Sequence, residues 1–156
     1  MASPQSSEKL ASRLKVQMWD HDPGATTAQV VTPDGGTTVR YVDQSNYGCF
    51  MVMSMASTLT GNGCTLLEIV AADDATGTNA TVIKTSGVVA PDAVGDYVFL
   101  ECTSEEIRQE SEDAGYDLRY VAGRITCANA ADEQVVTYIQ ANPRFANSGL
   151  TANSIA

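Results

Sequence analysis

Ten consecutive residues, Gly48 to Ser57 (GCFMVMSMAS), leave this chain few ways to fold. Read as a strand, the segment puts Phe50 and Val52 on one face and Met51, Met53 and Met55 on the other, because side chains alternate with a period of two. A strand that is apolar on both faces needs cover on both. That cover comes either from two layers of its own fold or from one layer and a second subunit. Methionine, unbranched and polarizable, suits either contact. Both readings stay open here, and Met51, Met53 and Met55 are the candidate subunit-contact residues.

Other β-type segments surround it, each bounded by turn chemistry. Leu14 to Met18 alternates apolar and polar residues, and Asp20 to Gly24 (DHDPG) breaks it. Thr26 to Thr32 and Thr37 to Val42 flank PDGG, a strong turn signal, and are expected to pair across it. Thr65 to Ala71 and Thr81 to Thr85 are expected partners around the polar loop DDATGTN, and TGNGC before them reads as a hairpin loop. Val94 to Thr103 is a further strand. Asp117 to Thr126 (DLRYVAGRIT) and Gln134 to Gln140 (QVVTYIQ), rich in Val, Ile, Thr and Tyr, read as an antiparallel hairpin joined by a short polar link.

Only Ser104 to Ala114 (SEEIRQESEDA) reads as a helix. Thr103 or Ser104 can cap it, acids crowd its first turn and Gly115 ends it. Its one apolar residue of size is Ile107, so it belongs on a surface. Roughly eight strands and one short helix predict an all-β, single-domain β-sandwich, with Greek-key or jelly-roll-like connectivity. The domain spans residues 13–146, between a flexible N-terminal arm, 1–12, and a C-terminal tail, 147–156. At 156 residues and 44% hydrophobic content, one proper core is within reach.

The net charge of −10, with nine basic residues scattered along the chain, gives no cationic groove for phosphates, so direct nucleic-acid binding is not expected. The polar start, Met1 to Ser12, has no apolar signal region, and no run approaches membrane-spanning length. A protein made and folded in a reducing cytoplasm is expected. There Cys49, Cys64, Cys102 and Cys127, with no CxxC pair among them, read as buried free thiols more readily than as disulfides or zinc ligands.

Candidate chemistry is sparse. Asp20, His21 and Asp22 cluster an imidazole with two carboxylates, but neighbours on a strand point to opposite faces, and DPG is an ordinary turn. Asp73 and Asp74 offer hard oxygen donors without the alternating spacing of a calcium loop. Glu105, Glu106, Glu110, Glu112 and Asp113 read as a solvated helix face. No nucleophile elbow or phosphate-binding loop occurs, and His21 is the sole histidine available to a triad. No catalytic residue, metal or cofactor is expected. A carbohydrate-binding β-sandwich is the competing reading, with Trp19, Tyr41 and Tyr47 as its candidate aromatic platform.

From Val88 to Phe145 the order of features is a strand (VGDYVFLECT), an acidic helical excursion, DLRYVAGRIT, a short loop, then QVVTYIQANPRF. With TLLEIVAADDATGTNATVIKT upstream, this order resembles small virion structural proteins of tailed bacteriophages, of the capsid-decoration or minor-capsid type. The likeness covers roughly Thr65 to Phe145 and is one of pattern. It implies a non-enzymatic β-sandwich that binds and stabilises the coat-protein shell. Its implied partners are the major capsid protein or other virion proteins, and its implied state is a homo-oligomer such as a trimer.

Overall fold

In the computed structural model, residues 14–21, 28–31, 41–61 and 63–144 are described. Among these residues nine strands and one helix follow in the order β1 (Leu14–His21), β2 (Gln29–Val30), β3 (Val42–Asp43), β4 (Tyr47–Thr58), β5 (Cys64–Ala72), β6 (Thr81–Thr85), β7 (Tyr97–Thr103), α1 (Ser104–Ala114), β8 (Tyr120–Cys127) and β9 (Glu133–Pro143). They form two antiparallel sheets. The first has the order β1-β9-β4-β7; in the second, β8 lies between β5 and the short strands β2 and β3, and β6 flanks β5.

This order is that of a jelly roll. The pairs β1–β9, β2/β3–β8, β4–β7 and β5–β6 are the rungs of one long antiparallel ribbon, and winding that ribbon on itself brings β9 beside β4 and β8 beside β5. The expected all-β fold is therefore present as a two-sheet sandwich.

Three local expectations fall differently. The segments 117–126 and 134–140 are not a hairpin: β8 and β9 lie in opposite sheets. Their link turns a corner because Val121, Gly123 and Ile125 must face Val136 and Tyr138 across the core, rather than lie beside them. TGNGC likewise is a corner from β4 in one sheet to β5 in the other, not a hairpin loop. The hairpin expected around PDGG falls mostly outside the described residues; Gln29–Val30 and Val42–Asp43 both pair with β8. The pairing of β5 with β6 is as expected, with a bulge at Ile69/Val70.

Between the sheets, Phe50, Val52, Val136 and Tyr138 meet Leu67, Ile69, Val121 and Ile125, all essentially without solvent contact. Full burial of such aliphatic side chains stabilises the fold by about 1.5–3 kcal/mol each. Tyr138 organises the middle: Trp19 and Phe50 both pack on it edge-on, with centroids 4.7 and 5.1 Å away. Gly123 lets the sheets approach here, since a Cβ at that position would lie 2.8 Å from Val52 Cγ2.

Helix α1 starts and stops as its sequence dictates. Thr103 Oγ1 accepts the Glu106 N–H at 3.2 Å, the Glu106 carboxylate accepts the Thr103 N–H at 2.8 Å, and Gly115 closes the helix at φ 74°. Ile107 anchors it in the core. A 2.7 Å ion pair between Glu106 and Lys84 ties it to β6.

Candidate assembly surface

The register of the first sheet arranges its outer face in rows. Val16, Ile139, Met51 and Glu101 form one row across β1, β9, β4 and β7; Met18, Thr137, Met53 and Phe99 form the next; Asp20, Val135, Met55 and Tyr97 form the third. A fourth row, Leu14, Ala141, Cys49 and Thr103, lies at the other end. Only Asp20 and Glu101 are charged among these positions, in a chain of net charge −10. Both lie on the edge strands, Asp20 at the end of β1 and Glu101 one row from the opposite end of β7, so the two central strands carry no charge on this face.

Exposure separates rim from centre. Met18 is 63% exposed, Tyr97 62%, Phe99 53% and Val16 43%, all on the two edge strands. These four are half of the large apolar side chains exposed among the described residues. Met51, Met53, Met55, Val135 and Ile139 are half-covered by their neighbours, and Thr137 in the middle row is 4% exposed although it points to the open side. In plan, four strands by four rows cover about 500 Å². These four exposed apolar side chains are thus gathered on one face of one sheet.

The face was only partly legible. Met51, Met53 and Met55 lie on it together, on β4, opposite Phe50 and Val52 on the core side. Tyr97 and Phe99 were missed, although YVFL alternates exposed and covered apolar residues just as β4 does. Val16 and Met18 belong to a segment that reads as half-buried, and they prove to be its solvent side.

The remaining candidates do not converge on a site. Trp19 points inward onto Tyr138, Tyr41 is buried with Val70, Ala72 and Ala122 on the outer side of the second sheet, and Tyr47 lies near the far end of the first. Three aromatic groups in three different places make no common platform. Asp20 and His21 alternate to opposite faces of β1, and Asp22 lies outside the described residues. The Asp74 carboxylate accepts the N–H groups of Thr76, Gly77 and Thr78 and both threonine hydroxyls. Those bonds hold it well below the usual carboxylate range, with the Thr78 hydroxyl foremost. Asp73 accepts from the Asn79 amide at 2.6 Å. Both acids fasten their own loop.

An open groove of about 380 Å³ lies between α1 and Leu118, with Arg108, Arg119 and Arg144 on its walls. Arg108 is already paired with Glu105 and Glu112. Among the described residues no group of three His, Cys, Asp or Glu side chains is placed to hold a metal ion, and no helix is long and apolar enough to cross a membrane.

No family model matches the chain, and no curated protein matches it in sequence.

Proposed function

We propose that this protein is a non-enzymatic structural subunit that self-associates through the outer face of its β1-β9-β4-β7 sheet, and that it serves as a virion protein of the capsid-decoration type. The observation that carries the first part is the uncharged, methionine-centred face with Met18, Tyr97, Phe99 and Val16 exposed around it. Its occupant is a second copy of the chain. Two such sheets pack at about 10 Å with interdigitating side chains, and a plan area of about 500 Å² per copy is of the order of the ~800 Å² that a standard interface buries on each partner. A flat face that meets its own copy does so about a two-fold axis. Setting such an axis along or across the strands puts neither Asp20 nor Glu101 opposite its own kind.

The virion part rests on the pattern resemblance between Thr65 and Phe145, and the jelly roll is compatible with it, being an architecture that viral capsid domains use. Lectins use it too, so the fold alone decides nothing. The scattered positions of Trp19, Tyr41 and Tyr47 weigh against the glycan reading.

Light scattering at tens of micromolar tests the association. The expected native mass is twice the chain mass of 16.5 kDa, returning to the single-chain value for Met53→Lys with unchanged circular dichroism. A wild-type monomer would overturn the reading. Adding the protein to undecorated capsids and following their thermal disassembly tests the second part; no binding and no shift would sink it.

A further inference from the structure

Cys64 opens β5, Cys127 closes β8, and the two are direct cross-strand partners. Both side chains are buried in the main core, and both are free thiols here. Backbone bonding fixes which kind of pair they form. The Ala128 N–H donates to the Gly63 carbonyl at 2.9 Å, so the hydrogen-bonded pair is Gly63–Ala128 and Cys64–Cys127 is the adjacent, non-hydrogen-bonded pair. In such pairs the Cα atoms approach to about 4.5 Å and the side chains lie closest. That lies inside the ~4.4–6.8 Å that a disulfide spans between its Cα atoms.

The chain around the pair is held on a second side as well. Asp132, just after Cys127, accepts the N–H groups of Thr60 and Gly61, just before Cys64, at 2.6 and 3.0 Å. Ladder and loop clamp thus bring the same two segments together. Some adjustment is available too, since β5 bulges between Cys64 and Leu66 and Gly63 takes a φ of 59°. The other two cysteines lack this arrangement: Cys49 faces Thr103 in the ladder and Cys102 faces Phe50, so their side chains point to opposite sides of the sheet.

We propose that Cys64 and Cys127 form an intrachain disulfide that staples β5 to β8 when the protein meets a small-molecule disulfide oxidant. One thiol loses its proton and attacks a sulfur of the oxidant, forming a mixed disulfide and expelling the oxidant's other half as a thiolate. The second cysteine, deprotonated in turn, displaces the remaining half. Two S–H groups are lost, one S–S bond is gained, and the oxidant is reduced to two thiols. Burial pushes Cys64 up to about 11 and Cys127 up to about 12, so the thiolate is scarce near neutrality and the reaction is slow there and faster as pH rises. Both cysteines stand at strand ends, so local opening of the ends of β5 and β8 is enough to admit the oxidant.

The test incubates the full chain with excess oxidised glutathione at pH 8, then unfolds it, alkylates free thiols and maps the peptides by tandem mass spectrometry. Two of the four cysteines are expected to escape alkylation, in a crosslink joining Cys64 to Cys127. The melting temperature of the oxidised protein should rise by about 10 °C, as closing a loop of roughly 60 residues predicts, and fall back on reduction. Cys127→Ala should lose both effects. Four alkylated thiols after prolonged oxidation, or a crosslink through Cys49 or Cys102, would overturn the proposal even if the alanine variant failed to fold.

Discussion

The backbone N–H of Gly123 on β8 donates to the hydroxyl of Tyr138 on β9 across the core, at 2.7 Å. The bond bridges the two sheets at the point where a missing side chain lets them approach closely. Tyr138→Phe strands a buried N–H and is expected to cost about 1–3 kcal/mol. Gly123→Ala places a methyl against Val52 and Tyr138 and should cost about 1–3 kcal/mol by overpacking. Because both changes strike one contact, the double variant is expected to be non-additive; urea unfolding of all four proteins measures the coupling.

Asp132 predicts acid sensitivity. Burial pushes its carboxyl up, but the hydrogen bonds from Thr60, Gly61 and Asn129 outweigh that and hold it below the usual range. A carboxyl depressed on folding lends stability that is fully present above its unfolded pKa, near 4. That stability is lost as pH falls through the folded value. Unfolding free energy should therefore drop below about pH 4. Asp132→Asn should flatten this part of the profile and cost about 1–3 kcal/mol at pH 7. An unchanged acid limb in the variant would show that other carboxyls govern it.

The helix cap and its ion pair should differ in weight. Thr103→Ala removes the hydroxyl that accepts the Glu106 N–H and is expected to cost about 1 kcal/mol. Lys84→Met removes only the pairing with Glu106, whose two side chains are 38% and 40% exposed, and should cost under about 1 kcal/mol, less in high salt. Thermal melts at two salt concentrations separate the two.

The two faces of the first sheet should respond oppositely to truncation. Val52→Ala, on the core side, is expected to destabilise by about 2–3 kcal/mol. Phe99→Ser, on the open side, should change the stability of dilute protein by about 0.5 kcal/mol or less, while weakening self-association. Chemical unfolding at submicromolar concentration, set beside native mass at high concentration, checks both halves.

Element type was legible in the sequence: alternation set Phe50 and Val52 on the face opposite Met51 and Met53, without saying which face is covered, and a cap at Thr103 or Ser104 with Gly115 at the end marked the helix. Strand partners were not. The seven residues between Thr126 and Gln134 are short enough to look like a hairpin turn, yet the loop turns a corner because both strands keep apolar residues for the space between them. Alternation records which side chains want cover; it is silent on whether the next strand lies beside them or opposite. The candidate surface was half-legible for the same reason. One strand of it reads as two-faced, but only the register of β1, β9, β4 and β7 shows the four apolar edges fusing into one face.

That strand order also sets when the molecule can exist. β9 lies between β1 and β4, so among the described strands β1 has no neighbour until β9 has been synthesised, more than 110 residues later. A growing chain on the ribosome can pair β5 with β6 or β4 with β7, but β1 waits for β9, its partner among the described strands. The sheet that carries the apolar face is thus completed only once β9 has been released.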